Sequence, residues 1–230
     1  MSDPVSTSVD LGSPALQEEA FADDLLTFGG AATYPAGTIL GRRRVAAAIT
    51  PSAVTGTGNG TVTAASVLTG DYVPKSGNWT LKCVAAATNG GTFVLLDPDG
   101  EQVAGGLVLT AGSGGANAFK AGGMAFTIND GSTDFAVGDV FTLPVTAGGK
   151  LEAYSKTGTG GTQIPVAVLT YDVVAAGAGD IKVRALIKGV LKKKRLIINA
   201  DGDDSNIDFL VRDQLRRTGL TAVDSTQTSS

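Results

Sequence analysis

The sequence predicts a mainly β protein: a small β-rich base with one C-terminal helix, interrupted by an inserted β-sandwich or barrel-like domain. Three observations carry this expectation. Charged residues make up 17% of the chain and aromatic residues 6%, while 32 of the 230 positions are glycine; this balance suits a turn-rich β protein better than a helical bundle or a disordered chain. Short apolar alternations recur between clusters of turn formers. The texture also changes twice, near Val45 and near Gly148, so that the two flanks resemble each other more than either resembles the middle. A chain of this length can bury one large core or two small ones.

Residues 1–32 read as an N-terminal arm. Ser13 is a candidate N-cap, Pro14 fits the first helical position, and Glu18 and Glu19 follow in the first turns. Leu16, Ala20, Phe21, Leu25 and Phe28 recur at near-helical spacing until Gly29-Gly30. A short amphipathic helix and an arm that orders only against a partner both fit this pattern. The base occupies 33–45 and 148–220. Its segments are a strand at Ala36-Gly-Thr-Ile-Leu-Gly-Arg42, a strand at Lys150–Ser155, a glycine-rich flexible loop at Thr157–Thr162, a β-rich run over Ile164–Val174, and a strand with one wet face at Ile181–Ile187. A helix follows, capped by Ser205 with Asp208 as its reciprocal partner. Its expected apolar stripe is Ile207, Leu210, Val211 and Leu215, with Arg212, Arg216 and Arg217 towards the end and Gly219 as the stop. Residues 221–230 read as a disordered tail.

The insert, 46–147, reads as strands at Thr61–Leu68, Trp79–Ala87, Thr92–Leu96, Gly106–Thr110, Met124–Ile128 and Val140–Val145. Turn formers separate them, notably Asn89-Gly-Gly91, Asp97-Pro-Asp-Gly100 and Asn129-Asp-Gly131.

The chemistry available is narrow. There is no histidine, which removes the usual general base and the commonest metal ligand. The single cysteine, Cys83, lies in an alternating strand pattern and reads as a buried structural thiol. Asp201-Gly-Asp-Asp-Ser-Asn206 invites a calcium reading, but its sixth and twelfth positions are Asn206 and Arg212, where an EF-hand loop needs glycine and glutamate. Asp97-Pro-Asp-Gly100 reads as a turn. Thr157-Gly-Thr-Gly-Gly161 lacks the lysine and the following helix of a phosphate loop. Lys192-Lys-Lys-Arg195 is offset by Asp201, Asp203 and Asp204, and reads as a solvated turn or protein-contact patch rather than a DNA site. Glu18-Glu19 and Asp23-Asp24 lie on the arm, away from any enclosed pocket. The expectation is a non-enzyme with no catalytic residue, cofactor or metal. A net charge of −4 argues against nucleic acid as a partner. The N-terminus shows no leader pattern and no apolar run reaches membrane-spanning length, so a soluble chain made in a cytosol is expected.

With the insert set aside, the flanks join in a recognisable order: Pro35-Ala-Gly-Thr-Ile-Leu-Gly-Arg42, Gly149-Lys-Leu-Glu-Ala-Tyr154, Gly161-Thr-Gln-Ile-Pro-Val-Ala-Val-Leu169, Thr170-Tyr-Asp-Val-Val174, Gly179-Asp180 and Val183-Arg-Ala-Leu-Ile-Lys-Gly189. This order resembles the lambda-type head decoration proteins of tailed bacteriophages over roughly the 115 residues outside the insert. The Phe209–Leu220 segment lies where members of that family carry a helix. The resemblance implies a homotrimer at three-fold and quasi-three-fold positions on the exterior of an expanded virion capsid, clamping the major capsid protein. It also implies an N-terminal arm that pairs with capsid segments, with Leu11, Leu16, Phe21, Leu25, Phe28 and Tyr34 as contact candidates. The insert segments Gly91–Gly100 and Asp134–Phe141 resemble a β module of phage structural proteins, and the insert is expected to project outward. Two other classes of function remain: a carbohydrate- or surface-binding adhesion module, which exposed aromatics on the insert would favour, and a tail structural component.

Overall fold

The computed structural model describes residues 13–69, 72–110, 115–198 and 207–224. In chain order the first strands are β1 (Ala15–Phe28), β2 (Ala32–Tyr34), β3 (Ile39–Arg42), β4 (Thr61–Val67) and β5 (Gly77–Ala87). Then come β6 (Gly90–Leu96), β7 (Gln102–Leu109), β8 (Ala116–Ala121), β9 (Met124–Asn129) and β10 (Val140–Val145). The last are β11 (Leu151–Ala153), β12 (Pro165–Val168), β13 (Val173–Ala175), β14 (Gly179–Lys192), a 3-10 turn at Lys193–Arg195, helix α1 (Phe209–Arg217) and β15 (Leu220–Val223). The protein is mainly β, with a single α-helix among the described residues.

The chain divides into two compact units. One comprises Met1–Arg42, Lys150–Lys156 and Thr162–Ser230; the other comprises Arg43–Gly149 and Thr157–Gly161. The glycine-rich loop therefore folds with the insert. The Gly160 carbonyl accepts from the amides of Arg44 and Val45 at 2.6 and 3.1 Å.

In the base, five strands close on themselves in the order β1-β11-β3-β12-β14, and β14 returns to β1. Closure leaves these five strands without the free edges that an open sheet would present, while β15 adds to β14 outside the ring. Leu26, Leu40, Leu151, Ala167, Val183 and Ala185 form one buried cluster with Phe28. Neighbouring Ile39 joins a second cluster, where Val168, Leu186 and Leu191 meet Val211 and Leu215 of the helix. Alternation along β3 thus sends Ile39 and Leu40 into different cores, both fully buried.

The expected arm helix is instead β1, antiparallel to β14 from Ala15↔Leu191 to Phe28↔Gly179. The register slips between Ala15 and Gln17, Glu18 and Ala20, and Ala20 and Phe21. The apolar residues of β1 lie on both faces of the strand, Leu16 and Leu25 outward and Phe28 inward, and that mixture is what falls at helix-like spacing. Other expectations at the C-terminal end also fail. Asp208 itself is the N-cap, its carboxylate accepting from the Val211 amide at 3.0 Å; Ser205 lies outside the described residues, as does the 201–206 segment. Leu210 is 69% exposed rather than part of the buried stripe, because one residue around from Val211 turns it to solvent. The tail expected from residue 221 begins as β15, parallel to β14. Lys192 is buried, its Nζ donating to the Ser13 carbonyl at 3.1 Å, so the basic run is not wholly solvated.

The inserted unit consists of two antiparallel sheets, β10-β5-β6-β7 and β4-β9-β8, enclosing one core. Trp79, Leu81, Cys83, Phe93, Leu95, Phe141 and Leu143 enter from one sheet, and Val62, Met124, Phe126 and Ile128 from the other. Strand β8 is absent from the sequence reading. Its hairpin with β9 turns at Gly122 and Gly123, whose φ values of 57° and 77° suit glycine. A Cβ at Gly122 would stand 2.7 Å from the Trp79 ring.

Cys83 is fully buried, and burial pushes its thiol above the ordinary range. Its reaction with a thiol reagent is expected to be absent in the native protein and rapid after unfolding. Stoichiometric labelling under native conditions would contradict this packing.

Candidate functional site

The six residues expected to contact a partner do not form one set. Leu11 lies outside the described residues. Leu16 and Leu25 stand on β1 and are 45% and 42% exposed. Phe21 is half-buried, with the Arg184 guanidinium 4.7 Å from its ring centroid. Phe28 is buried in the base and stacks on half-buried Tyr34 at 4.5 Å between centroids. Burial, and then the Glu152 charge, raise the Tyr34 phenol above its usual range. Phe28 is therefore a core residue, and only Leu16 and Leu25 of the described candidates present large exposed surfaces.

One member of each acidic pair of the expected arm is tied into the barrel wall. Asp24 pairs with Arg42, and Glu19 with Lys188 at 2.9 Å. Lys150 and then Thr27 hold the Asp180 carboxyl below the ordinary range. The Glu19–Lys188 pair joins the paired strands β1 and β14, while Asp24–Arg42 spans β1 to β3; partly exposed pairs of this kind add little stability each.

Sequence reasoning missed the most exposed apolar side chains of the base: Phe209 at 78%, Leu210 at 69% and Val174 at 68%. Tyr171 is 44% exposed, and its hydroxyl accepts from the Arg184 amide at 2.9 Å. Helical spacing could have revealed Phe209, because the stripe through Ile207, Val211 and Leu215 leaves it on another face.

Two glycines of the flank pattern have direct steric reasons. Gly37 takes φ of 98°, and an added Cβ would collide with the Arg195 carbonyl. At Gly41 the same addition would strike the Thr162 backbone. Between them Thr38 is fully buried, its hydroxyl donating to the Pro35 carbonyl at 2.7 Å.

In the insert, Asp97 makes its turn. One oxygen accepts from the amides of Asp99 and Glu101 at 2.9 and 3.0 Å, and the other from Lys75. Asp130 is buried, and neither of its carboxylate oxygens has a hydrogen-bond partner among the described residues. Trp79, Phe93, Phe126, Phe135 and Phe141 are core residues; Tyr72 is the exposed aromatic, at 56%. No three side chains among histidine, cysteine, aspartate and glutamate are grouped to hold a metal among the described residues. No described helix is long and apolar enough to cross a membrane.

No protein-family model matches the chain. No curated protein matches it either. The crystal structure of FlgL from Xanthomonas campestris is 18% identical, over 50% of this chain and 34% of that one, with a TM-score of 0.33. A likeness that low carries no argument about fold or function.

Proposed function

We propose that this chain is a phage head decoration protein, which binds the expanded capsid as a homotrimer and stabilises it through contacts made by the base. One observation carries the reading. The short stretches that bear the family resemblance are separated by the whole insert, yet they lie side by side as β3, β11 and β12 of one closed sheet. Gly41 of β3 sits where an added side chain would strike the Thr162 backbone ahead of β12.

Stabilisation follows from mass action: a protein that binds only the expanded lattice favours it, and three linked copies turn weak contacts into avidity. The major capsid protein is then the partner, and the inserted unit faces away from the shell. The adhesion reading has less behind it, since the aromatic rings of the insert are largely spent on its core.

A cryo-EM reconstruction of expanded heads with the protein added tests the arrangement. The expected density places the base on the shell around three-fold positions. Insert density wedged between capsid subunits would contradict it.

A further inference from the structure

A groove of about 290 Å³ runs between α1 and β15, lined by Phe209, Arg212, Asp213 and Arg216 on the helix and Thr221–Val223 on the strand. The helical residues fall at the spacing of a single face. The strand residues are consecutive, so the groove follows the strand's edge as well as one of its faces. That edge is open. β15 ends the sheet, with β14 on one side and no strand beyond it among the described residues.

An open edge beside a helix offers unpaired backbone groups to an incoming extended segment, and the helix supplies contacts for its side chains. The chemistry of the walls specifies that segment. Phe209 and half-buried Val223 provide apolar surface. Around it, among the described residues, Arg212, Arg216, Arg217 and Lys193 pair with two carboxylates, Asp213 and Asp224. The Arg212 and Lys193 contacts to Asp224 are loose, at 3.5 and 3.7 Å. Among the described residues the rim therefore carries more cations than carboxylates.

We infer that this groove binds an extended peptide segment of a protein partner, added as a strand along β15, with apolar side chains alternating with Asp or Glu. The occupant gains main-chain hydrogen bonds at the edge, apolar contact with Phe209, and charge pairing with Arg212 and Arg216. This inference rests on the groove alone and stands or falls separately from the capsid reading.

The test is selection of a randomised heptapeptide display library on the full chain, followed by measurements on a synthetic peptide of the enriched sequence. Enrichment of alternating apolar and acidic residues is expected, together with NMR shifts in the amides of Thr221, Ala222 and Val223. Arg216→Glu should weaken that peptide's binding at least tenfold. Phe209→Ser, which breaks no ion pair, should weaken it at least fivefold while leaving the melting temperature unchanged. Failure to enrich any sequence would overturn the proposal, as would equal binding by both variants or peptide shifts confined to other strands. Displacement of the peptide by a twelve-nucleotide oligothymidine at equal concentration would assign the patch to nucleic acid instead. Loss of self-association in Phe209→Ser, with no peptide enriched, would assign it to a second copy.

Discussion

Asp139→Ala is expected to destabilise the inserted unit by about 3–5 kcal/mol, judged from three charge-assisted hydrogen bonds lost at once. The carboxylate is 2% exposed. It accepts from the amides of Thr57 and Gly58 at 2.8 Å each, and from Ala136 at 2.9 Å. It thereby fastens the loop before β4 to the loop before β10, where Phe135 packs edge-on to Phe93 at 5.1 Å and to Phe141 at 5.8 Å. Alanine would strand three amides and loosen the lid of the core.

The same group links stability to pH. Burial pushes the Asp139 carboxyl up, but the amides of Thr57, Ala136 and Gly58 outweigh it, and the net displacement is downward. A depressed folded value means that its contribution is complete above the unfolded aspartate range, about 3.9. The contribution is lost as pH falls through the lower folded value. Asp139→Asn should therefore reduce the acid sensitivity of unfolding as well as its midpoint. Denaturant melts of both proteins between neutral and acid pH check this, and parallel pH profiles would count against the assignment.

The second large effect belongs to the base. Gly37→Val should cost about 3–5 kcal/mol, because it adds a β-branched side chain at positive φ and drives it into a backbone carbonyl. Gly37 is a crossing point: its amide donates to the Leu169 carbonyl at 2.7 Å, and its carbonyl accepts from the Ile197 amide at 2.9 Å. Moving it pulls on the end of β12 and on the chain after β14 together. The inserted unit has its own core, so the variant should lose the base transition while Cys83 stays protected from thiol reagents. Exposure of Cys83 at the same denaturant concentration as base unfolding would mean that the two units melt as one.

The mainly β class and most strands of the insert were legible because their apolar positions alternate cleanly between turn residues. Strand β8 escaped because Ala116-Asn-Ala-Phe-Lys-Ala121 has little apolar contrast; its visible trace was the Gly122-Gly123 turn. Strand β1 was misread because its apolar residues lie on both faces, Leu16 and Leu25 outward and Leu26 and Phe28 inward, and its partner lies far along the chain: Thr27 donates to Asp180 across 153 positions. A pairing that distant is decided by the tertiary fit between two strands, which local periodicity does not encode. The candidate surface was legible only in part. Leu16 and Leu25 face outward as a contact role requires, but Phe28 is consumed by the core, and Phe209 had been counted only as the start of a helix.

Adding the purified protein to expanded, undecorated heads tests the proposed recognition and stabilisation of the phage shell. Saturable binding is predicted, with a rise in the temperature at which the heads rupture that grows with protein concentration; occupancy at a hundred times Kd corresponds to about 2.7 kcal/mol per site. No binding, or equal binding to unexpanded heads with no change in rupture temperature, would contradict it.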